Sequence, residues 1–68
     1  MTYRQLTRKL RKLGCEFKRS SKGSHEIWHN TRTNRSTVIP NHPGDIPIGT
    51  LNAILKQLGI DRDEFDDA

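Results

Sequence analysis

The chain has 68 residues, of which 31% are hydrophobic, and its 12 Lys and Arg outnumber its 8 Asp and Glu. This length is sufficient for one small domain with a thin core, and the single cysteine, Cys15, excludes an internal disulfide. No segment is apolar over the length of a membrane span or resembles a signal peptide, so we expect a cytoplasmic protein with no membrane partner.

The first predicted element is an amphipathic helix from about Thr2 to Leu13. Thr2 is a suitable N-cap, and Gly14 lies where a left-handed residue ends many helices. Apolar residues recur at helical spacing and predict one buried face, whereas basic residues occupy the rest of the surface. The apolar face contains Tyr3, Leu6, Leu10 and Leu13.

Three short strands separated by polar turns follow this helix. Phe17 is the apolar anchor of the first strand, and Pro40 ends the third because proline cannot donate a ladder hydrogen bond. In the second strand Ile27 and Trp28 point to opposite faces, and alternation alone does not determine which of them faces the helices. The predicted strands are Cys15–Arg19, Ser24–Asn30 and Ser36–Ile39.

A second helix is predicted to begin near Pro47 and to end at Gly59. Residues 61–68 are expected to form an acidic, partly frayed tail that can add one helical turn, with Phe65 reaching the core. The predicted buried face of the helix comprises Ile48, Leu51, Ile54, Leu55 and Leu58.

These elements predict one α+β domain over residues 1–68, in the order αβββα. A three-stranded antiparallel sheet would carry two helices on one face, as in double-stranded-RNA-binding domains. The other face of the sheet, or its rim, would then be free for a ligand. Such a fold does not by itself determine the function.

The charge is unevenly distributed along the chain. Residues 1–40 contain ten basic and two acidic side chains, a net charge of +8, whereas residues 41–68 have a net charge of −4. A basic segment of this density fits a polyanion, of which RNA is the obvious candidate. An ordinary solvated surface remains the alternative interpretation.

Three histidines, His25, His29 and His42, are the candidates for acid–base chemistry. RNA cleavage without a metal needs a base for the 2′-hydroxyl and an acid for the departing 5′-oxygen, and histidine can serve as either near neutral pH. His29 and His42 also fit structural roles, and His42 is an alternative second proton-transfer group. Trp28 fits either a base-stacking role or, more simply, the core.

His25 is the preferred candidate because of the residues around it. Gly23 permits close backbone approach to a phosphate, and Ser24 offers a hydroxyl. The neighbouring cations Lys18, Arg19 and Lys22 could hold phosphates. The alternative interpretation is that His25 is an exposed strand histidine after an ordinary turn. The acidic residues show no metal-ligand spacing, so no metal or other cofactor is expected.

Several segments, in order along nearly the whole chain, resemble the HicA family of toxins. The segments are Leu10–Gly14, Gly23-Ser24-His25 with Ile27-Trp28, Val38–His42, Pro47–Leu51 and Ile54–Ile60. Each one alone is weak, whereas the ordered set is fairly specific. Asp45 is a mild departure, since family members often carry Glu there.

The resemblance implies more than the residues do. HicA proteins have a fold like double-stranded-RNA-binding domains, cleave mRNA, stop translation and are inhibited by a HicB antitoxin. The family's functional histidine follows Gly-Ser, which corresponds to His25 here. The expected function is therefore a toxin endoribonuclease that needs no metal and uses a single histidine, His25, as general acid or base. The sequence does not decide whether His42 or water is the second proton-transfer group. A non-catalytic RNA-binding module and a protein-interaction domain of the same fold are the alternatives.

Overall fold

A computed structural model describes residues 1–68 and has the predicted architecture. The α+β fold is confirmed: a three-stranded antiparallel sheet carries helices packed against it. A short third helix occupies part of the acidic tail. The elements are α1 (Tyr3–Lys12), β1 (Cys15–Ser20), β2 (His25–Asn30), β3 (Arg35–Pro40), α2 (Ile48–Leu58) and α3 (Arg62–Asp66).

The helix ends follow from local sequence. The Thr2 hydroxyl accepts a hydrogen bond from the Gln5 backbone N–H, while the Gln5 side chain accepts one from the Thr2 N–H, which forms a capping box. At the end of α2, Gly59 has a φ of 71°, and the Ile60 N–H donates to the Leu55 carbonyl at 3.0 Å. Thr2 and Gly59 therefore delimit the helices as predicted.

The sheet has the order β1-β2-β3, with β2 in the centre. On one side of β2, Trp28 pairs with Phe17 and Ile27 pairs with Arg19, so that Lys18 is the extra residue of a bulge in β1. On the other side, His25 pairs with Pro40 in a regular register. Both turns are therefore short hairpin connections.

The burial of Trp28 shows which face of β2 packs against the helices. Its side chain is fully buried, as is the side chain of Asn30, whose amide donates to the Leu58 carbonyl at 2.9 Å. Since side chains alternate along a strand, His25, Ile27 and His29 lie on the opposite face, which no helix covers. The fully buried apolar side chains are those of Leu6, Leu10, Trp28, Ile39, Leu58 and Phe65.

Two large apolar residues lie at the surface. Ile48, assigned to the buried face of α2, is 60% exposed, because at about 100° per residue it points about 70° away from the mean direction of the buried positions. Phe17 is 45% exposed because it lies on an edge strand, where its ring contacts Trp28 edge-on at 6.2 Å between centroids. The predicted burial of Ile48 is therefore wrong.

None of the helices is long and apolar enough to cross a membrane.

Candidate active site

Ser24, His25 and His42 meet at one end of the sheet, all at the surface. The ring centroids of His25 and His42 are 6.3 Å apart, with the rings at 79° to each other. The Ser24 hydroxyl lies 3.3 Å from Nδ1 of His42. The structure thus brings the preferred histidine together with the alternative second proton-transfer group.

Backbone pairing at the end of β2 and β3 produces this cluster. His25 lies opposite Pro40, and the Asn41 N–H donates to the Ser24 carbonyl at 2.8 Å, which continues the pairing one step beyond β3. His42 follows directly and reaches back over Ser24. The two histidines are 17 positions apart in sequence, and the β2–β3 hairpin makes them neighbours.

The turn before His25 presents an open backbone. Gly23 has a φ of 57°, a left-handed conformation that favours glycine, and nothing lies within 4 Å of the place where a Cβ would be. The turn is closed by the Ser21 N–H, which donates to the His25 carbonyl at 2.8 Å. Gly23 is thus required by the conformation of the turn, and the space above it is free.

The three predicted cations near His25 are not equivalent. Arg19 pairs with Ile27 and lies on the same sheet face as His25, whereas Lys18 occupies the bulge. The Lys18 ammonium contacts the Glu16 carboxylate at 3.1 Å, while Arg19 and Lys22 have no ion-pair partner. Arg19 and Lys22 therefore offer free positive charge, and Lys18 is partly compensated.

Glu26 is a residue that the sequence analysis missed. Its side chain points to the helix side of the sheet, where the Tyr3 hydroxyl and Trp28 Nε1 both donate to Oε1. Asn41 Nδ2 donates to Oε2 at 3.1 Å. The carboxylate thereby links α1, β2 and the residue that precedes His42. The alternation of side chains along β2 could have indicated this residue, because Glu26 must face the same way as Trp28.

The electrostatics of this network favour an ionised Glu26. Burial alone would raise the pKa of the carboxyl, but the hydrogen bonds from Tyr3, Trp28 and Asn41 and the nearby charge of Arg11 lower that pKa below its ordinary value. Burial, aided by the Glu26 carboxylate, raises the pKa of Tyr3 to about 12. Glu26 is therefore a carboxylate and Tyr3 a hydrogen-bond donor at neutral pH.

The surroundings of the remaining candidates, Trp28 and His29, indicate structural roles. Trp28 is fully buried, with the Arg11 guanidinium 5.1 Å from its ring centroid, so the ring occupies the core and has no accessible face for a base. His29 lies further along β2, where its Nδ1 is 2.8 Å from the Ser36 hydroxyl. No three His, Cys, Asp or Glu side chains are grouped so that they could share a metal ion.

Comparison with known proteins identifies one family. The family model described as "HicA toxin of bacterial toxin-antitoxin" matches residues 3–60. The match includes Ser24, His25 and His42, and it ends before α3. A search of curated proteins found no match.

Proposed function

The chain belongs to the HicA toxin family, and from this premise we propose that it is an endoribonuclease that cleaves mRNA without a metal ion. Loss of mRNA would stop translation and growth. The observation that carries the proposal is the pair of exposed imidazoles, 6.3 Å apart between ring centroids, beside an open glycine turn.

In this mechanism the scissile phosphodiester binds between the two histidines. One imidazole removes the proton from the ribose 2′-hydroxyl, whose oxygen attacks the phosphorus as the bond from phosphorus to the 5′-oxygen breaks. The other imidazolium donates a proton to that departing oxygen. The products are a 2′,3′-cyclic phosphate and a 5′-hydroxyl. We assign the principal acid–base role to His25 and the complementary role to His42.

The surrounding groups would bind the substrate. Arg19 and Lys22 are exposed and free of ion pairs, so they can neutralise phosphates next to the scissile bond. Gly23 lets an RNA backbone approach closely, and Ser24 contacts His42 and can orient its ring. Lys18 would contribute less, since Glu16 already compensates its charge.

The family also supports a protein partner. The description of the matching family places such toxins in toxin–antitoxin systems, and we propose that a HicB-like antitoxin holds this chain inactive. An acidic surface on that antitoxin would complement the basic residues 1–40 and cover the RNA site.

Cleavage of a defined RNA by the purified protein tests the proposal. A single-stranded RNA is incubated in excess EDTA, and a matched RNA carries a 2′-O-methyl group at the cleaved nucleotide. We expect cleavage of the first RNA, with a 2′,3′-cyclic phosphate end, and none of the second at that position. Binding of both RNAs without cleavage of either would favour a non-catalytic RNA-binding module and would overturn the nuclease.

A further inference from the structure

The Glu26 carboxylate lies on the face of β2 opposite His25. It accepts hydrogen bonds from three parts of the fold: Tyr3 on α1, Trp28 on β2 and Asn41 after β3. A strand carboxylate turned toward the helices is costly to bury unless it is fully bonded. Here each of its oxygens has at least one partner.

Of these bonds, only the one from Asn41 reaches the loop that carries His42. His25 is the first residue of β2 and Ser24 precedes it, whereas His42 lies in the loop that leads to α2. That loop is tied to the start of β2 by the Asn41 N–H on the Ser24 carbonyl, by the Asn41 amide on Glu26, and by His42 on Ser24. The bond from the Asn41 side-chain amide to Glu26 is the only one of the three that engages a charged group.

We infer that Glu26 is a positioning residue, which holds the Asn41 side chain so that His42 stays against Ser24 and His25. The inference rests on the proposed ribonuclease activity, in which both imidazoles serve one phosphodiester. Tyr3 and Trp28 both donate to Oε1, so Trp28 still holds the carboxylate when Tyr3 is replaced. Asn41 alone donates to Oε2 and transmits the position of the carboxylate to the next residue. Glu26 does not touch the RNA in this arrangement.

Asn41→Ala isolates the link, because it removes the amide and leaves the backbone bond to Ser24 intact. Tyr3→Phe is the matched control, since it removes a different hydrogen bond of the same carboxylate. Displacement of a catalytic group by about 1 Å can cost about 100-fold in rate. We expect Asn41→Ala to lower kcat by about 10- to 100-fold with little change in KM, and Tyr3→Phe to leave kcat nearly unchanged.

Glu26 itself is tested by Glu26→Ala alone and combined with Asn41→Ala. If both residues act through one contact, the double variant is no slower than Glu26→Ala. Independent losses that multiply would overturn the inference. Should Glu26→Ala fail to fold, Asn41→Ala and Tyr3→Phe carry the test, because both leave the other partners of the carboxylate in place.

A second measurement separates this inference from the nuclease itself. Ring protons of His25 and His42 are close enough for a nuclear Overhauser effect in the wild type, where the centroids are 6.3 Å apart. We expect the effect to weaken in Asn41→Ala and to persist in Tyr3→Phe, whether or not the wild type cleaves RNA. An unchanged effect and unchanged kcat in Asn41→Ala, or equal losses in both variants, would overturn the role of Glu26.

Discussion

The imidazoles of His25 and His42 face each other edge to plane at 6.3 Å, across the end of the β2–β3 hairpin. Neither ring is buried, and Ser24 lies 3.3 Å from Nδ1 of His42. Two imidazoles therefore border one exposed surface. A phosphodiester held there would have a base on one side and an acid on the other.

Replacement of His42 separates a two-histidine mechanism from one that uses His25 alone. General acid–base catalysis contributes about 100- to 10,000-fold, so His42→Ala is expected to lower kcat by about 100-fold or more while RNA affinity changes little. His29→Ala is the control, because His29 lies further along β2, where its Nδ1 is 2.8 Å from the Ser36 hydroxyl. Single-turnover cleavage and a separate binding assay measure the two effects. Equal activity in both variants would exclude His42 from the chemistry.

The free cations near the turn are expected to set the salt dependence of RNA binding. Each phosphate contact with a single strand changes the slope of log K against log salt concentration by about 0.7, so Arg19→Ala and Lys22→Ala should each flatten the slope by about that amount. Lys18→Ala should have a smaller effect, since Glu16 already compensates Lys18.

Lys56→Ala is the matched control for these charge changes. Lys56 is exposed on α2, in the acidic half of the chain, and it has no ion-pair partner. Filter binding over a range of salt concentrations measures all four variants. If Lys56→Ala flattens the slope as much as Arg19→Ala and Lys22→Ala do, the charge acts through the whole protein and not through the surface near His25.

Trp28 is expected to matter for stability and not for RNA contact. Trp28→Phe removes the hydrogen bond of Nε1 to Glu26 and some buried volume, and the loss of one such bond in a buried site costs about 1–3 kcal/mol. A domain of this size has a total stability of only about 3–10 kcal/mol. Urea denaturation should show a lower midpoint at an unchanged slope. Weaker RNA binding with unchanged stability would instead favour base stacking.

Tyr3 predicts a loss of stability at alkaline pH. Its pKa is raised from 10.0 to about 12 in the folded chain, mainly by burial, so the folded state keeps a proton that the unfolded state has lost. The contribution is complete below pH 10 and disappears as the pH rises toward 12. Burial also raises the pKa of Cys15 to about 11, which changes the stability in the same direction.

The single tyrosine makes this effect measurable. The ultraviolet absorbance of tyrosinate should titrate near pH 12 in the folded protein and near pH 10 in urea. In Tyr3→Phe, the free energy of unfolding should fall less steeply between pH 10 and 12 than in the wild type. Titration of the folded protein at the ordinary pKa would show that the Tyr3 hydroxyl is neither buried nor bonded to Glu26 in solution.

The element order was predictable because its signals are local. The cap at Thr2, the left-handed Gly59 and the apolar spacing of α1 each depend on a few neighbouring residues, and the structure has all of them. Which side of β2 faces the helices was not predictable, because alternation divides the side chains of β2 into two sets and does not indicate which set is buried. The packing of α1 and α2 on the face that carries Trp28 depends on tertiary contacts and not on local sequence.

The candidate site was predictable only in part for the same reason. His25 and Ser24 stand in one motif, but the approach of His42 depends on how β2 and β3 pair. Glu26 was missed because a strand glutamate next to Ile27 resembles a solvated residue until Trp28 is known to point inward. Ile48 was misassigned since it sits in the first turn of α2, at the border of the apolar face.

The most direct test of the central claim is induced expression of the wild type and of His25→Ala, with growth and cellular RNA followed together. We expect the wild type to arrest growth and fragment mRNA, and His25→Ala to do neither while it retains the circular dichroism spectrum of the folded chain. Equal growth arrest and equal RNA fragmentation by the two proteins would contradict the assignment of His25 as the residue that performs the cleavage.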